Sequence, residues 1–260
     1  VRRVLQSNSG IAQVKMPISN EDRSVAGRIA GEIAERYGDF GFRGKIRLHF
    51  EGSAGQSFGV FNSGGVELTL VGESNDYLGK GMAGGSIVVT PPYVDGFRPQ
   101  DNVIVGNTCL YGATGGQVFV NGRAGERFAV RNTRCHAVLE GCGDHLGEYM
   151  TGGAVVALGR TGKNIAAGMS GGLLYLHNSE GRDLQRLCHN DNRDNLFEVE
   201  RGSGREEQLK DLIQKHADLT GSQVALEMLA RWEQAVGEFR VVVPRSEQAP
   251  ERMSARWEQA

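Results

Sequence analysis

The sequence predicts an all-β-dominated fold, a parallel β-helix of about seven coils with flanking α-helices, on three observations: a local excess of glycine, a recurring motif, and strand-like runs at a near-constant step. Glycine accounts for 38 of the 260 residues and is concentrated between Gly52 and Gly172. The motif is a glycine pair followed by a short aliphatic run: GMAGGSIVV at 81–89, GATGGQVFV at 112–120, YMTGGAVVAL at 149–158 and GMSGGLLYL at 168–176. Gly84, Gly85, Gly115, Gly116, Gly152, Gly153, Gly171 and Gly172 are therefore read as structural repeat glycines. Strand-like runs begin at 46, 66, 86, 117, 137, 154 and 173, with successive steps of 20, 20, 31, 20, 17 and 19 residues. The one long step carries a proline-rich insertion, PPYVDGFRPQD at 91–101, which reads as a surface loop.

Each run has the period of a strand with one buried face, as in Val66, Leu68 and Leu70 against Glu67 and Thr69. A step this short leaves no room for a crossover helix beside the strand. The expectation is a winding chain in which each coil stacks on the last, with QSFGVFN at 56–62, RFAVRN at 127–132 and NIAAGMS at 164–170 forming the other sides. Glycines serve the corners, together with Asn75, Asn107, Asn132 and Asn164, a residue type that tolerates left-handed backbone.

Both ends of such a stack need covering. Residues 20–38 read as a helix capped by Asn20, with Val25, Ile29, Ile33 and Tyr37 on one face and Gly38 at its end. Residues 205–221 and 222–236 read as a helical hairpin about Thr220, Gly221 and Ser222. The expected organisation is a lead-in at 1–19, a capping helix plus repeat at 20–182, a helical region at 183–243, and a frayed tail at 244–260. The hexapeptide ARWEQA occurs at 230–235 and again at 255–260.

Composition excludes several function classes. Lysine plus arginine total 29 against 31 acidic residues, without a basic run, so nucleic acid is not an expected partner. No run approaches the roughly 20 apolar residues of a membrane helix, and a cytoplasmic location is expected, or a plastid if the source is a photosynthetic eukaryote. The start at Val1 is expected to reflect processing or a longer parent chain. Cys109, Cys135, Cys142 and Cys188 form no CxxC pair and read as buried free thiols.

Candidate chemistry is sparse. Gly79, Gly81 and Gly84 spell GxGxxG, but the motif leads into a strand instead of a helix whose N-terminus would hold a pyrophosphate. Lys80 and Lys163 follow glycines without completing a phosphate loop. Cys135, His136, Cys142 and His145 lie within eleven residues, yet adjacent ligands on alternating strand faces suit a tetrahedral zinc site poorly. Asp144, His145 and Glu148 lack an activated nucleophile beside them. The reading is catalytic residues none, cofactor-binding residues none and metal ligands none.

Three stretches, residues 52–92, 101–132 and 143–172, closely resemble the C-terminal glycine-rich (GXGXG) repeat domain of the glutamate synthase large subunit. The resemblance runs from about Ile18 to Val243. It implies a right-handed β-helix that follows a glutaminase domain, a central domain and an FMN-binding barrel carrying an iron–sulfur cluster. In that family glutamine is hydrolysed, ammonia passes through an internal tunnel, and 2-oxoglutarate is reductively converted to glutamate; the repeat domain is a scaffold. The chain is thus expected to be a non-catalytic part of an oxidoreductase with the glutaminase, central and FMN domains as partners. The C-terminal VVVPRSEQAPE resembles ferredoxin-dependent members. Alternatives are a separately encoded subunit of glutamate synthase or of a complex like formylmethanofuran dehydrogenase. A β-helical acyltransferase is disfavoured because no six-residue phase persists.

Overall fold

The computed structural model describes residues 1–248. The expected frayed tail lies mostly, and the second ARWEQA wholly, outside the described residues. The elements in chain order are α1 (Arg2–Ser7), β1 (Ile11–Ile18), α2 (Gly27–Tyr37), β2 (Lys45–Ala54), β3 (Val66–Ser74), β4 (Ala83–Thr90), β5 (Val103–Val105), β6 (Gly115–Val120), β7 (Arg123–Ala124), β8 (His136–Leu139), β9 (Thr151–Ala157), β10 (Gly171–His177), α3 (Leu184–Leu187), β11 (Leu196–Glu198), α4 (Gly204–Thr220), α5 (Gln223–Ala230), α6 (Trp232–Ala235) and β12 (Phe239–Val242).

These elements correct the expected fold class. The chain is not an all-β-dominated right-handed β-helix of about seven coils; it is a mixed α/β protein built on one 12-stranded, mostly parallel sheet. The main path is β1-β2-β3-β4-β6-β8-β9-β10-β12-β11, and its antiparallel pairings are β10 with β12 and β12 with β11. The physical reason lies between the strands. Segments 56–62, 127–132 and 164–170, expected to form further sides of a coil, are turns outside the strands, with one isolated parallel bridge, Ile165 to Cys188. The near-twenty-residue step instead moves the chain over by one strand within a single sheet.

Register puts like residues in columns. Leu48, Leu68, Ile87, Val118, Ala137, Val155 and Leu174 are successive partners across seven strands, and Phe50, Leu70, Val89, Val120, Leu139, Ala157 and Leu176 form a second column. All are buried, with the turns, α1 and α2 contributing to the same core. The opposite face has its own column: His49, Thr69, Val88, Phe119, Val138, Val156 and Tyr175. From Val88 onward it is covered by α4, α5, α6 and β12, giving a second apolar cluster.

Between strands, six turns repeat one backbone pattern. Residues of positive φ alternate with residues of negative φ: Ser57, Gly59, Phe61; Tyr77, Gly79, Gly81; Thr108, Leu110, Gly112; Arg127, Ala129, Arg131; His145, Gly147, Tyr149; Asn164, Ala166, Gly168. Successive turns bond to one another through backbone amides, as in Ser57 N to Asp76 O (2.9 Å), Thr108 N to Glu126 O (2.8 Å) and Arg127 N to Asp144 O (2.8 Å). Of the four asparagines expected to take left-handed backbone, only Asn164 does so. Asn132 is instead fully buried, its Nδ2 donating to Cys135 O at 2.9 Å. Asn75 and Asn107 accept from the backbone N–H of Asp76 and Glu126 through Oδ1.

The helices differ from expectation in two places: the start of α2, and the helix expected over 222–236, which breaks into α5 and α6 because Arg231 leaves helical backbone at φ −118°, ψ 36°. α2 starts at Gly27, seven residues after Asn20, because Asp22 folds back to accept from Ser19 N and Oγ and closes a turn first. α4 and α5 form the expected hairpin: Gly221 ends α4 in left-handed backbone at φ +68°, and Ser222 caps α5 by accepting from Ala225 N.

Candidate functional site

The predicted repeat glycines stand at the entrances of β4, β6, β9 and β10. One pair shows why two glycines are needed. A Cβ on Gly152 would lie 2.0 Å from Thr133 O, so the first position is closed by the preceding layer. Gly153 has φ +83°, and its Cβ would lie 2.4 Å from Cys135 O, so the second position is closed by conformation and by contact.

Gly79 and Gly81 occupy the second and third left-handed positions of a turn. Their amides donate to Phe58 O (2.8 Å) and Tyr111 O (2.8 Å), and Gly84 is the second residue of β4. Amides already spent on the neighbouring turns are not aimed at a phosphate. Cys135, His136, Cys142 and His145 are not brought together. Cys135 faces the inner core, its Sγ 4.0 Å from Met82 Sδ, whereas His136 faces α4, where burial, with Lys215 nearby, lowers its pKa. Among the described residues no three His, Cys, Asp or Glu side chains converge as metal ligands. Burial pushes the Cys109 and Cys142 thiols up to about 12 and Cys188 to about 11, and raises Cys135 further. None of them is an activated nucleophile. Asp144 spends its Oδ1 on Lys163 N at 2.9 Å, a corner bond.

A polar cleft of about 310 Å³ lies between the ends of β8–β10, the segment around Arg98 and Asp101, and the face of α5 that carries Val224, Glu227 and Met228. Its charges are largely paired. Arg160 Nε holds both oxygens of Glu180 (3.0 and 2.9 Å), and Arg98 meets Asp101 at 3.2 Å. Arg231 grips Glu238 through Nη1 (2.6 Å) and Nη2 (2.9 Å), while His177 Nε2 lies 2.7 Å from the same carboxylate. Arg231, seconded by His177, pulls Glu238 down to about 2 against the opposing effect of burial. Arg182 donates to Thr161 O at 2.9 Å; burial, with Arg160 and Arg123 nearby, lowers its pKa.

Behind the cleft sit Glu140, Ser222 and His216, all 1% exposed or less. Sequence reading missed this group because its members come from β8's end and from the hairpin, 82 residues apart. Ser222 Oγ donates to Glu140 Oε1 while accepting from Ala225 N at 3.1 Å. His216 stacks on Phe119 with ring centroids 6.2 Å apart, and its Nε2 is 3.8 Å from Glu140 Oε1, beyond hydrogen-bond reach. Serine, histidine and carboxylate occur together, but the carboxylate rather than the imidazole holds the serine. That serine is also closed to substrate. The group fastens the hairpin to the sheet.

A family model described as the GXGXG motif matches residues 1–245. The chain belongs to the GXGXG family. Glycine at alternate positions is the spacing of the left-handed residues in the turns, met most literally at Gly79 and Gly81. This GXGXG chain is 52% identical over 254 residues to the chloroplastic ferredoxin-dependent glutamate synthase of Spinacia oleracea, covering 97% of the chain and 15% of that protein. It is 51% identical over 250 residues to ferredoxin-dependent glutamate synthase 1, chloroplastic/mitochondrial, of Arabidopsis thaliana, covering 95% and 15%. It is 53% identical over 230 residues to ferredoxin-dependent glutamate synthase 2 of Synechocystis sp., covering 88% and 14%. The chain thus spans about one-seventh of the length of these relatives. Among the described residues no helix is long and apolar enough to cross a membrane.

Proposed function

We propose that this chain is a non-catalytic structural domain of a glutamate synthase, one that holds the glutaminase, central and FMN-binding parts in register. The observation that carries this reading is the 52% identity over 97% of the chain to a segment of a ferredoxin-dependent glutamate synthase. The paired charges of the cleft and the closed Glu140–Ser222–His216 group agree with it, since neither presents a nucleophile or base to a substrate. The four cysteines are each buried and free. On this reading FMN and the cluster belong to other domains, ferredoxin is the reductant, and the domain resides in cytoplasm or plastid with its parent enzyme.

The test is direct. The purified 260-residue chain, given glutamine, 2-oxoglutarate and reduced ferredoxin, is expected to show neither glutamine hydrolysis nor glutamate formation. Turnover by the chain alone overturns the proposal.

A further inference from the structure

The stacked turns align one exposed row of side chains. Backbone bonds set its order: Phe61 N to Lys80 O (2.9 Å), Gly81 N to Tyr111 O (2.8 Å), Gly112 N to Val130 O (3.1 Å) and Arg131 N to Glu148 O (2.9 Å). The exposed side chains along this ladder are Phe61, Lys80, Tyr111, Arg131 and Tyr149, aromatic and cationic members alternating, with Lys80 and Tyr111 one residue before the turn position that Phe61, Arg131 and Tyr149 share. Phe61 is 57% exposed, Tyr111 38% and Tyr149 52%. Lys80 Nζ lies 5.5 Å from the Tyr77 ring centroid and 6.0 Å from that of Tyr111, and the Arg131 guanidinium 5.7 Å from that of Tyr149.

One feature sets this row apart from ordinary surface. Lys80 and Arg131 hold their charge over aromatic faces instead of in an ion pair, and Glu148, next to Arg131 in the backbone ladder, is engaged by Arg127.

We infer that this row is the docking surface for an acidic, extended stretch of the same glutamate synthase polypeptide, whose carboxylates pair with Lys80 and Arg131 and whose apolar groups pack on the rings. The inference rests on the domain reading proposed above. Five rungs at strand spacing span about 19 Å, the length of roughly six extended residues. The relatives hold most of their length outside the matched segment, so such a stretch has a source. Aromatic and basic residues interleaved in this way also suit single-stranded nucleic acid, but the acidic balance of the chain, 31 against 29, favours a polypeptide.

The test places the photocrosslinker p-benzoyl-phenylalanine at position 111 of the full-length enzyme and, separately, at position 93, where Tyr93 is 94% exposed in the 91–97 loop. The expected result is a crosslink from position 111 to an Asp- or Glu-containing peptide of the same polypeptide. Its yield should fall on the order of tenfold when Lys80→Glu and Arg131→Glu are added. In the full-length enzyme, Tyr149→Gly should shift Tm by less than about 3 °C, and a larger loss overturns the inference by making the row structural. The inference is overturned by no crosslink from position 111, by one to a second copy or to a peptide without carboxylates, or by saturable poly(U) binding that the double variant abolishes. Failure of the domain reading shows separately, as full glutamate formation by an enzyme lacking this domain.

Discussion

The two halves of the sheet share one inner face and differ on the other. In β2 and β3 the outward column begins with His49 and Thr69, flanked by the Arg47–Glu67 ion pair at 2.8 Å, and meets solvent. In β4 through β10 the same column continues as Val88, Phe119, Val138, Val156 and Tyr175 beneath the α4–α5 hairpin. One repeated strand thus serves two environments by changing a single side-chain row, as expected when one half of a parallel sheet is covered and the other is not.

The sharpest way to break this comparison is to remove one member of the row from each half. Phe119→Ala is expected to destabilise by about 3–5 kcal/mol, because a fully buried ring leaves a cavity beside His216. Thr69→Ala should stay within about 0.5 kcal/mol. Urea unfolding monitored by circular dichroism measures both, and equal effects would contradict the covered-half account.

The glycines offer a second contrast. Gly153→Ala combines positive φ with a 2.4 Å approach to Cys135 O and is expected to cost about 2–4 kcal/mol. Gly112 also has positive φ, +65°, but a Cβ there meets nothing within 4 Å, so Gly112→Ala should cost only about 1 kcal/mol. Matching Tm losses would show that conformation alone, rather than layer contact, sets the requirement.

Seating of the hairpin comes next. Ser222→Ala removes the α5 cap and leaves Glu140 without its donor, for an expected loss of about 1–3 kcal/mol in thermal unfolding.

The smallest effect is pH-dependent. Glu238 is depressed in the folded protein to about 2, so its contribution is fully present above the unfolded carboxylate pKa and lost as pH falls toward 2. Arg231→Met should destabilise by about 1–2 kcal/mol at neutral pH, and the difference from the parent should close on acidification. A gap that persists at pH 2 would assign the effect to packing.

Much of this was legible in the residues. The columns were visible because the step is nearly constant; the change from VELTLV to VFV and AVVAL, where the second face becomes covered, was passed over. The hairpin was visible from Thr220, Gly221 and Ser222. The turns were misread because a strand and an alternating left-handed turn can carry the same aliphatic residues. Leu110, Ala129 and Ala166 sit at positive φ without any sequence mark of it. β1 was hidden for a different reason: its row of Ile11, Gln13, Lys15 and Pro17 looks like a loop when read without the strand it pairs with. The Phe61–Tyr149 row and the Glu140–Ser222–His216 group are products of stacking and of long-range closure, and no local pattern announces either.

The central claim is that this domain contributes architecture and no chemistry to a glutamate synthase. The most direct measurement is glutamate formation from glutamine and 2-oxoglutarate by the full-length enzyme, by the enzyme with this domain excised, and by the excised enzyme given the 260-residue chain in trans. The account predicts loss of coupled glutamate formation on excision and its recovery, at least in part, on adding a chain that is itself inactive. Undiminished coupled turnover after excision would contradict it.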